Sequence, residues 1–172
     1  MRFAVIGAGL AGLTAAHKMR GHAEIEIFEK ARGPGGRMSC RYTSQFQFDH
    51  GAQFFTIKND LFRDFLAPYM RRNVIREWRP RIAEYKDSTT APEIHQDKLF
   101  YLPSPKANAL CKELASELSV RTGCRISAIE GEPGAWFIKT GTGSEPLGPY
   151  DWVVTSAPPE QSLDLLPEIF SK

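Results

Sequence analysis

The first thirty residues constrain this chain more than any other stretch. Phe3, Ala4, Val5 and Ile6 form an apolar run without the polar alternation of a half-exposed strand, which predicts a buried parallel strand over Arg2 to Ile6. It runs into Gly7-Ala8-Gly9-Leu10-Ala11-Gly12, a G-x-G-x-x-G turn. Leu10, Leu13, Ala16 and Met19 then fall near helical spacing, and Gly21 supplies a stop. A second strand follows, with Ile25, Ile27 and Phe28, and it ends at Glu29. Each glycine has its own task. Gly7 allows the tight turn, Gly9 admits a pyrophosphate close to the backbone, and Gly12 lets the helix approach the strand. The helix aims its N-terminal N–H groups and the positive end of its dipole at the phosphates. Glu29 stands about twenty residues past Gly9, where an acid accepts adenosine ribose hydroxyls. That carboxylate would repel a phosphorylated ribose, so the expectation is FAD or NAD rather than NADP.

The rest of the composition excludes several classes. A chain of 172 residues with 42% hydrophobic content suits one globular domain with a small excursion. No apolar run approaches membrane-spanning length, and the N-terminus reads as a core strand rather than a signal peptide. Cys40, Cys111 and Cys124 match neither a disulfide framework nor a zinc pattern, which points to a reducing cytoplasm. A net charge of +2 carries no suggestion of nucleic acid.

The segment after Glu29 separates NAD from FAD. Lys30-Ala31-Arg32-Gly33-Pro34-Gly35-Gly36-Arg37-Met38 is a basic, glycine-rich loop where an NAD dehydrogenase would enter a helix. Such a loop can lay amides and the Arg37 guanidinium along a second stretch of an anionic cofactor. Together with Cys40-Arg41-Tyr42 and Phe48-Asp49-His50-Gly51-Ala52-Gln53-Phe54-Phe55-Thr56, this pattern resembles the flavin-containing amine oxidase superfamily, and within it the renalase-like bacterial oxidoreductases. The resemblance implies that Gly7, Gly9, Leu10, Ala11, Gly12, Glu29, Lys30, Gly36, Arg37 and Met38 contact the dinucleotide and ribityl portions of FAD. It implies that Gln53, Phe54 and Phe55 lie at the flavin ring, and that the backbone near Arg125-Ile126 faces the adenine.

Further along, Asn59-Asp60 caps a helix carrying Leu61, Phe62, Phe65, Leu66 and Tyr69. Arg71, Arg72, Arg76, Arg79 and Arg81 gather around Trp78, but Glu77, Glu84 and Asp87 dilute them, so a solvated surface is expected. The segment 87–92 reads as an exposed loop. Ser104-Pro105 predicts a helix start, and Leu110, Leu114 and Leu118 predict one apolar stripe on a helix from Lys106 to Ser119. Two β runs, Cys124 to Ile129 and Ala135 to Lys139, and a return strand starting at Asp151 complete the pattern. Relatives usually carry Gly-Met before the 106–119 helix, where this chain has Ser104-Pro105-Lys106.

The expected architecture is α/β: a Rossmann-like FAD-binding domain from residues 1–56 and 101–160, with a parallel sheet, helices and a small antiparallel element. Residues 57–100 begin an inserted α+β substrate domain, and 161–172 form a tail. The family pattern continues to a Gly-Asp segment that is not found after Pro159, so the expectation is an N-terminal portion. By resemblance the chain is an FAD-dependent oxidoreductase. Hydride passes from an amine or a dihydronicotinamide isomer to flavin N5, and dioxygen is reduced to hydrogen peroxide. No residue stands out as a catalytic acid or base, His50 included, and no metal ligand set is expected. The alternative is a non-catalytic dinucleotide-binding module completed by a partner chain or by self-association.

Overall fold

The structure, a computed structural model, describes residues 1–141, 145–167 and 170. Of the tail expected over 161–172, residues 168, 169, 171 and 172 lie outside this set. In chain order the elements are β1 (Arg2–Ile6), α1 (Leu10–Met19), β2 (Glu24–Phe28), β3 (Cys40–Tyr42), β4 (Gln47–Asp49), α2 (Asp60–Arg71), β5 (Ile75–Trp78), β6 (Ile82–Glu84), β7 (Glu93–His95) and β8 (Phe100–Pro103). They continue with α3 (Ala109–Ser116), β9 (Ser119–Arg121), β10 (Ala128–Glu132), β11 (Ala135–Lys139), β12 (Leu147–Tyr150), β13 (Trp152–Thr155) and α4 (Pro159–Leu163). The chain divides into two compact units, Met1–Ser39 with Cys111–Lys172, and Cys40–Leu110.

The first unit is built on a parallel sheet of order β13-β1-β2-β9. The apolar sequence of β1 suits its central place, since a strand covered on both faces has no use for alternation. Val5 and Ile27 are register partners, as are Ile6 and Phe28, so successive pairs point to opposite faces. Ala4, Ile6 and Phe28 pack with Ile129, Trp136, Ile138 and Tyr150 of the antiparallel β10-β11-β12 sheet. Each large side chain removed from water there contributes about 1.5–3 kcal/mol. At the polar end of the sheet, Glu26 of β2 pairs with Arg2 on one neighbouring strand (3.2 Å) and Arg121 on the other (2.7 Å). The His17 ring nitrogen hydrogen-bonds the Leu114 carbonyl at 2.9 Å, tying α1 to α3.

The second unit holds three antiparallel pairs, β3-β4, β5-β8 and β6-β7, and α2. Asn59 caps α2 as its sequence suggests, its side-chain oxygen accepting from the Phe62 N–H at 2.8 Å. Leu66 is buried on the apolar face of this helix, and Phe62 stacks against Phe65.

Three expectations need correction. The helix predicted from Lys106 begins at Ala109 and ends at Ser116. The Ser104 N–H extends the strand pairing by donating to the Val74 carbonyl (2.8 Å), and the Asp49 carboxylate takes the Ala107 N–H (3.1 Å). Ser119, expected as the last residue of that helix, instead opens β9 on the outer side of β2. The strand expected from Cys124 starts at Ala128, because the Cys124 N–H is spent on the Glu29 carbonyl at 2.8 Å.

Candidate functional site

The G-x-G-x-x-G turn sits at the carboxyl end of β1. Gly7 adopts φ +104, and its N–H donates to the Phe28 carbonyl at 2.8 Å. A Cβ at Gly7 would lie 2.6 Å from Ser156 Oγ, and one at Gly12 only 2.2 Å from the Gly7 carbonyl oxygen. The packing of the protein itself therefore demands both glycines. Gly9 is different. Its backbone (φ −80, ψ 176) suits any residue, and a Cβ there would come no closer than 3.7 Å to Gly36 Cα. Nothing in the fold calls for glycine at this position. Gly9 caps α1 without a side-chain hydrogen bond, and the first N–H groups of the helix have no acceptor within it. Free amides at the positive end of a helix suit an anion such as a diphosphate.

The glycine-rich loop forms a second bend joined to the first. Gly35 bridges Gly9 as in a parallel pair, and its N–H donates to the Ala8 carbonyl at 2.9 Å. Gly36, with φ +53, opens a short 3-10 turn over Gly36–Met38, leaving Arg37 exposed and Met38 buried. Glu29 is almost fully buried. Its Oε2 accepts from the Ala8 N–H and its Oε1 from the Ala31 N–H, each at 2.8 Å. The carboxylate thus braces the turn on one side and the loop on the other, and each oxygen keeps a lone pair for a further donor.

The remaining predicted residues of this unit sit as follows. Leu10 is half-buried and Ala11 exposed at the first turn of α1. Lys30 is exposed, with Nζ donating to Gln161 Oε1 at 2.8 Å. The Ile126 side chain belongs to the core, so only its backbone is available to a ligand. Cys111 is fully buried, and burial pushes its thiol up to about 12, in keeping with a small apolar residue.

Ser156 was missed by sequence reasoning. Its Oγ lies 3.1 Å from both the Ile6 and Gly7 carbonyl oxygens, which share its one O–H, and fills the place that side chains on Gly7 and Gly12 would need. The only signal available was its position just past an apolar strand. That this strand would neighbour β1 is not written locally.

Gln53, Phe54 and Phe55 lie in the second unit. Gln53 is exposed, with its Nε2 donating to the Asp49 carbonyl at 3.0 Å. The Phe54 ring meets Phe100 (4.6 Å between centroids) and Trp78 (5.6 Å). Phe48, Asp49, Gln53, Phe54 and Trp78 line a cleft of about 450 Å³. Phe55 turns elsewhere, its ring against Phe62 and Tyr101 and its backbone paired with Tyr101. Among the described residues there is no group of three or more metal-ligating side chains, and no helix long and apolar enough to cross a membrane.

The parallel sheet, the glycine turn at its carboxyl end and the acid after β2 define a Rossmann-like dinucleotide-binding fold. Residues 5–69 match the family model for an NAD(P)-binding Rossmann-like domain. Over 66 residues the chain is 42% identical to 4,4'-diapophytoene desaturase (4,4'-diaponeurosporene-forming) of Staphylococcus aureus, covering 37% of this chain and 13% of that protein. The fold is similar to that of putrescine oxidase bound to putrescine (TM-score 0.75, 11% identity, 96% of this chain and 60% of that one). It is also similar to a CLA-producing fatty acid isomerase from P. acnes (TM-score 0.69, 15% identity, 96% and 60%). This chain therefore spans less than two thirds of the length of each of these proteins.

Proposed function

We propose that this chain is the FAD-binding portion of a flavin-dependent oxidoreductase of the amine oxidase and renalase-like type. The observation that carries the reading is Gly9: a glycine at an ordinary backbone conformation that the packing does not require, since a Cβ there would make only ordinary contact with Gly36 Cα (3.7 Å), beside the bridged Gly35-Gly36 bend. The turn at Gly9, Leu10 and Ala11 holds the diphosphate with main-chain N–H groups. Gly36, Arg37 and Met38 follow the ribityl side, and Arg37 supplies a cation to the same anion. Glu29 and Lys30 meet the adenosine ribose, the backbone at Ile126 meets the adenine, and Gln53 and Phe54 flank the ring. When bound, the flavin supplies hydride acceptance at N5 and passes electrons on to dioxygen, giving hydrogen peroxide. The substrate in this reading is a dihydronicotinamide isomer or an amine. The protein's share is to bind, orient and shield. The relatives named as a desaturase and an oxidase support an oxidoreductase. Three free cysteines suit a reducing cytoplasm.

A second reading is a non-catalytic dinucleotide-binding module completed by a partner chain. The exposed rings of Phe46, Phe48, Phe54 and Trp78 favour it, since grouped apolar surface marks an interaction site. Purified protein is expected to be yellow with a flavin spectrum, and a colourless protein that takes up NAD instead would overturn the FAD reading. Bleaching by a dihydronicotinamide without oxygen supports the enzyme. A flavin that stays oxidised in that assay and in the presence of amines favours the module.

A further inference from the structure

We propose that Asp49 is the positioning residue of the second unit's cleft, fixing the carbonyl on which the Gln53 amide is held. The inference rests on the reading that a flavin ring lies against Gln53. Three bonds meet at this residue. Its Oδ1 accepts from Cys40 Sγ at 2.7 Å, its Oδ2 accepts from the Ala107 N–H at 3.1 Å, and its main-chain oxygen accepts from Gln53 Nε2 at 3.0 Å. The first bond ties β4 to its partner β3 across the Cys40–Asp49 pair. The second ties β4 to the turn before α3. Asp49 is the last residue of β4, so without these ties the end of the strand would fray, and the carbonyl under Gln53 with it.

The chemistry requires a carboxylate. Two donors, a thiol and an amide N–H, face two oxygens, and a carboxylate accepts at both without a donor of its own to place. The Cys40 thiol is pushed above its ordinary range by burial and by its bond to Asp49, as expected for a sulfur that keeps its proton to donate it. Gln53 is exposed and has rotamers to lose, so its orientation depends on the acceptor beneath it. An amide pointed at a flavin alters the ring's electronic spectrum through its hydrogen bond, and so reports on that orientation.

The test uses the full chain with Asp49→Asn, which preserves shape while replacing one acceptor by a donor. In the protein without FAD, the Gln53 side-chain amide resonances are expected to move toward those of a free glutamine. In the FAD-loaded protein, the flavin absorbance is expected to shift in the same direction as in Gln53→Leu, and Asp49→Asn combined with Gln53→Leu to shift no further than Gln53→Leu alone. A role confined to stability would lower the melting temperature and leave both signals in place. Unmoved Gln53 resonances in folded Asp49→Asn overturn the proposal. A wild-type chain that takes up no FAD overturns the functional reading, and the amide resonances alone then decide on Asp49. Where Asp49→Asn does not fold, Cys40→Ala is expected to move the Gln53 resonances and Cys40→Ser, which retains a donor, to leave them. No movement in Cys40→Ala overturns the proposal.

Discussion

The Gly35 N–H donates to the carbonyl oxygen of Ala8 at 2.9 Å, so the two glycine bends form one hydrogen-bonded object. Their glycines are nevertheless of different kinds. Gly12→Ala drives a methyl to 2.2 Å from the Gly7 oxygen and is expected to cost about 1–3 kcal/mol in the cofactor-free protein. Gly9→Ala meets only ordinary contact and is expected to change that stability by no more than about 0.5 kcal/mol. FAD loading should nonetheless fall in Gly9→Ala and be abolished in Gly9→Val. Thermal melts of the unloaded proteins, set beside flavin content after reconstitution, check both halves. Full flavin in Gly9→Val would place the cofactor elsewhere.

Ser156→Ala removes the hydroxyl that secures the Ile6 and Gly7 carbonyls. The loss is expected to be about 1 kcal/mol by urea unfolding, the usual net worth of a hydrogen bond. Because the Gly7 turn loosens, FAD affinity should drop further than stability does, as read by flavin fluorescence titration. Equal affinity in mutant and wild type would limit Ser156 to packing.

Glu29→Gln keeps the volume but presents an NH2 where an oxygen now accepts from Ala8 or Ala31. One buried amide N–H then faces another donor, and about 1–3 kcal/mol of stability should be lost. Calorimetry of the unloaded chain measures this without any cofactor contribution.

Alkaline pH offers a test with a defined sign. Tyr150 is buried and its phenol is raised from the usual 10.0 to about 12, chiefly by burial and then by the Glu26 carboxylate, with Arg2 opposing. The folded state therefore keeps a proton that the unfolded state releases. Its contribution is complete below pH 10 and is lost as pH rises from about 10 to about 12. Cys111, raised by burial from 9.0 to about 12, acts in the same direction from a lower starting point. Stability measured by urea midpoints should decline across this window, and Tyr150→Phe should flatten the decline above pH 10. An identical slope in Tyr150→Phe would sink the assignment.

The parts of the fold legible in the sequence are those whose causes are local. The apolar run of β1, the glycine turn, the stripe of α1 and the β-branched run of β2 each state their structure within a few residues. Asn59 likewise announces the start of α2, and the structure supplies the bond. Illegible features depend on distant partners. Ser119-Val120-Arg121 is too short and polar to read as a strand, and becomes one because β2 offers an open edge. Leu147-Gly148-Pro149-Tyr150 contains two strand breakers and still pairs with β11, held by the buried Tyr150. The start of α3 moved because Asp49 claimed an amide from 58 residues away. Glu29 was legible as the acid that ends β2. Its second task, bracing two loops, was not.

The bond from Ser156 to Gly7 spans 149 residues. On a ribosome, the early β1-α1-β2 segment can assemble soon after it emerges, but the serine that latches its glycine turn is made more than a hundred residues later. The glycine turn therefore stays unlatched until β13 has threaded in beside β1, and a nascent or cleaved chain lacking residue 156 would be without this clasp.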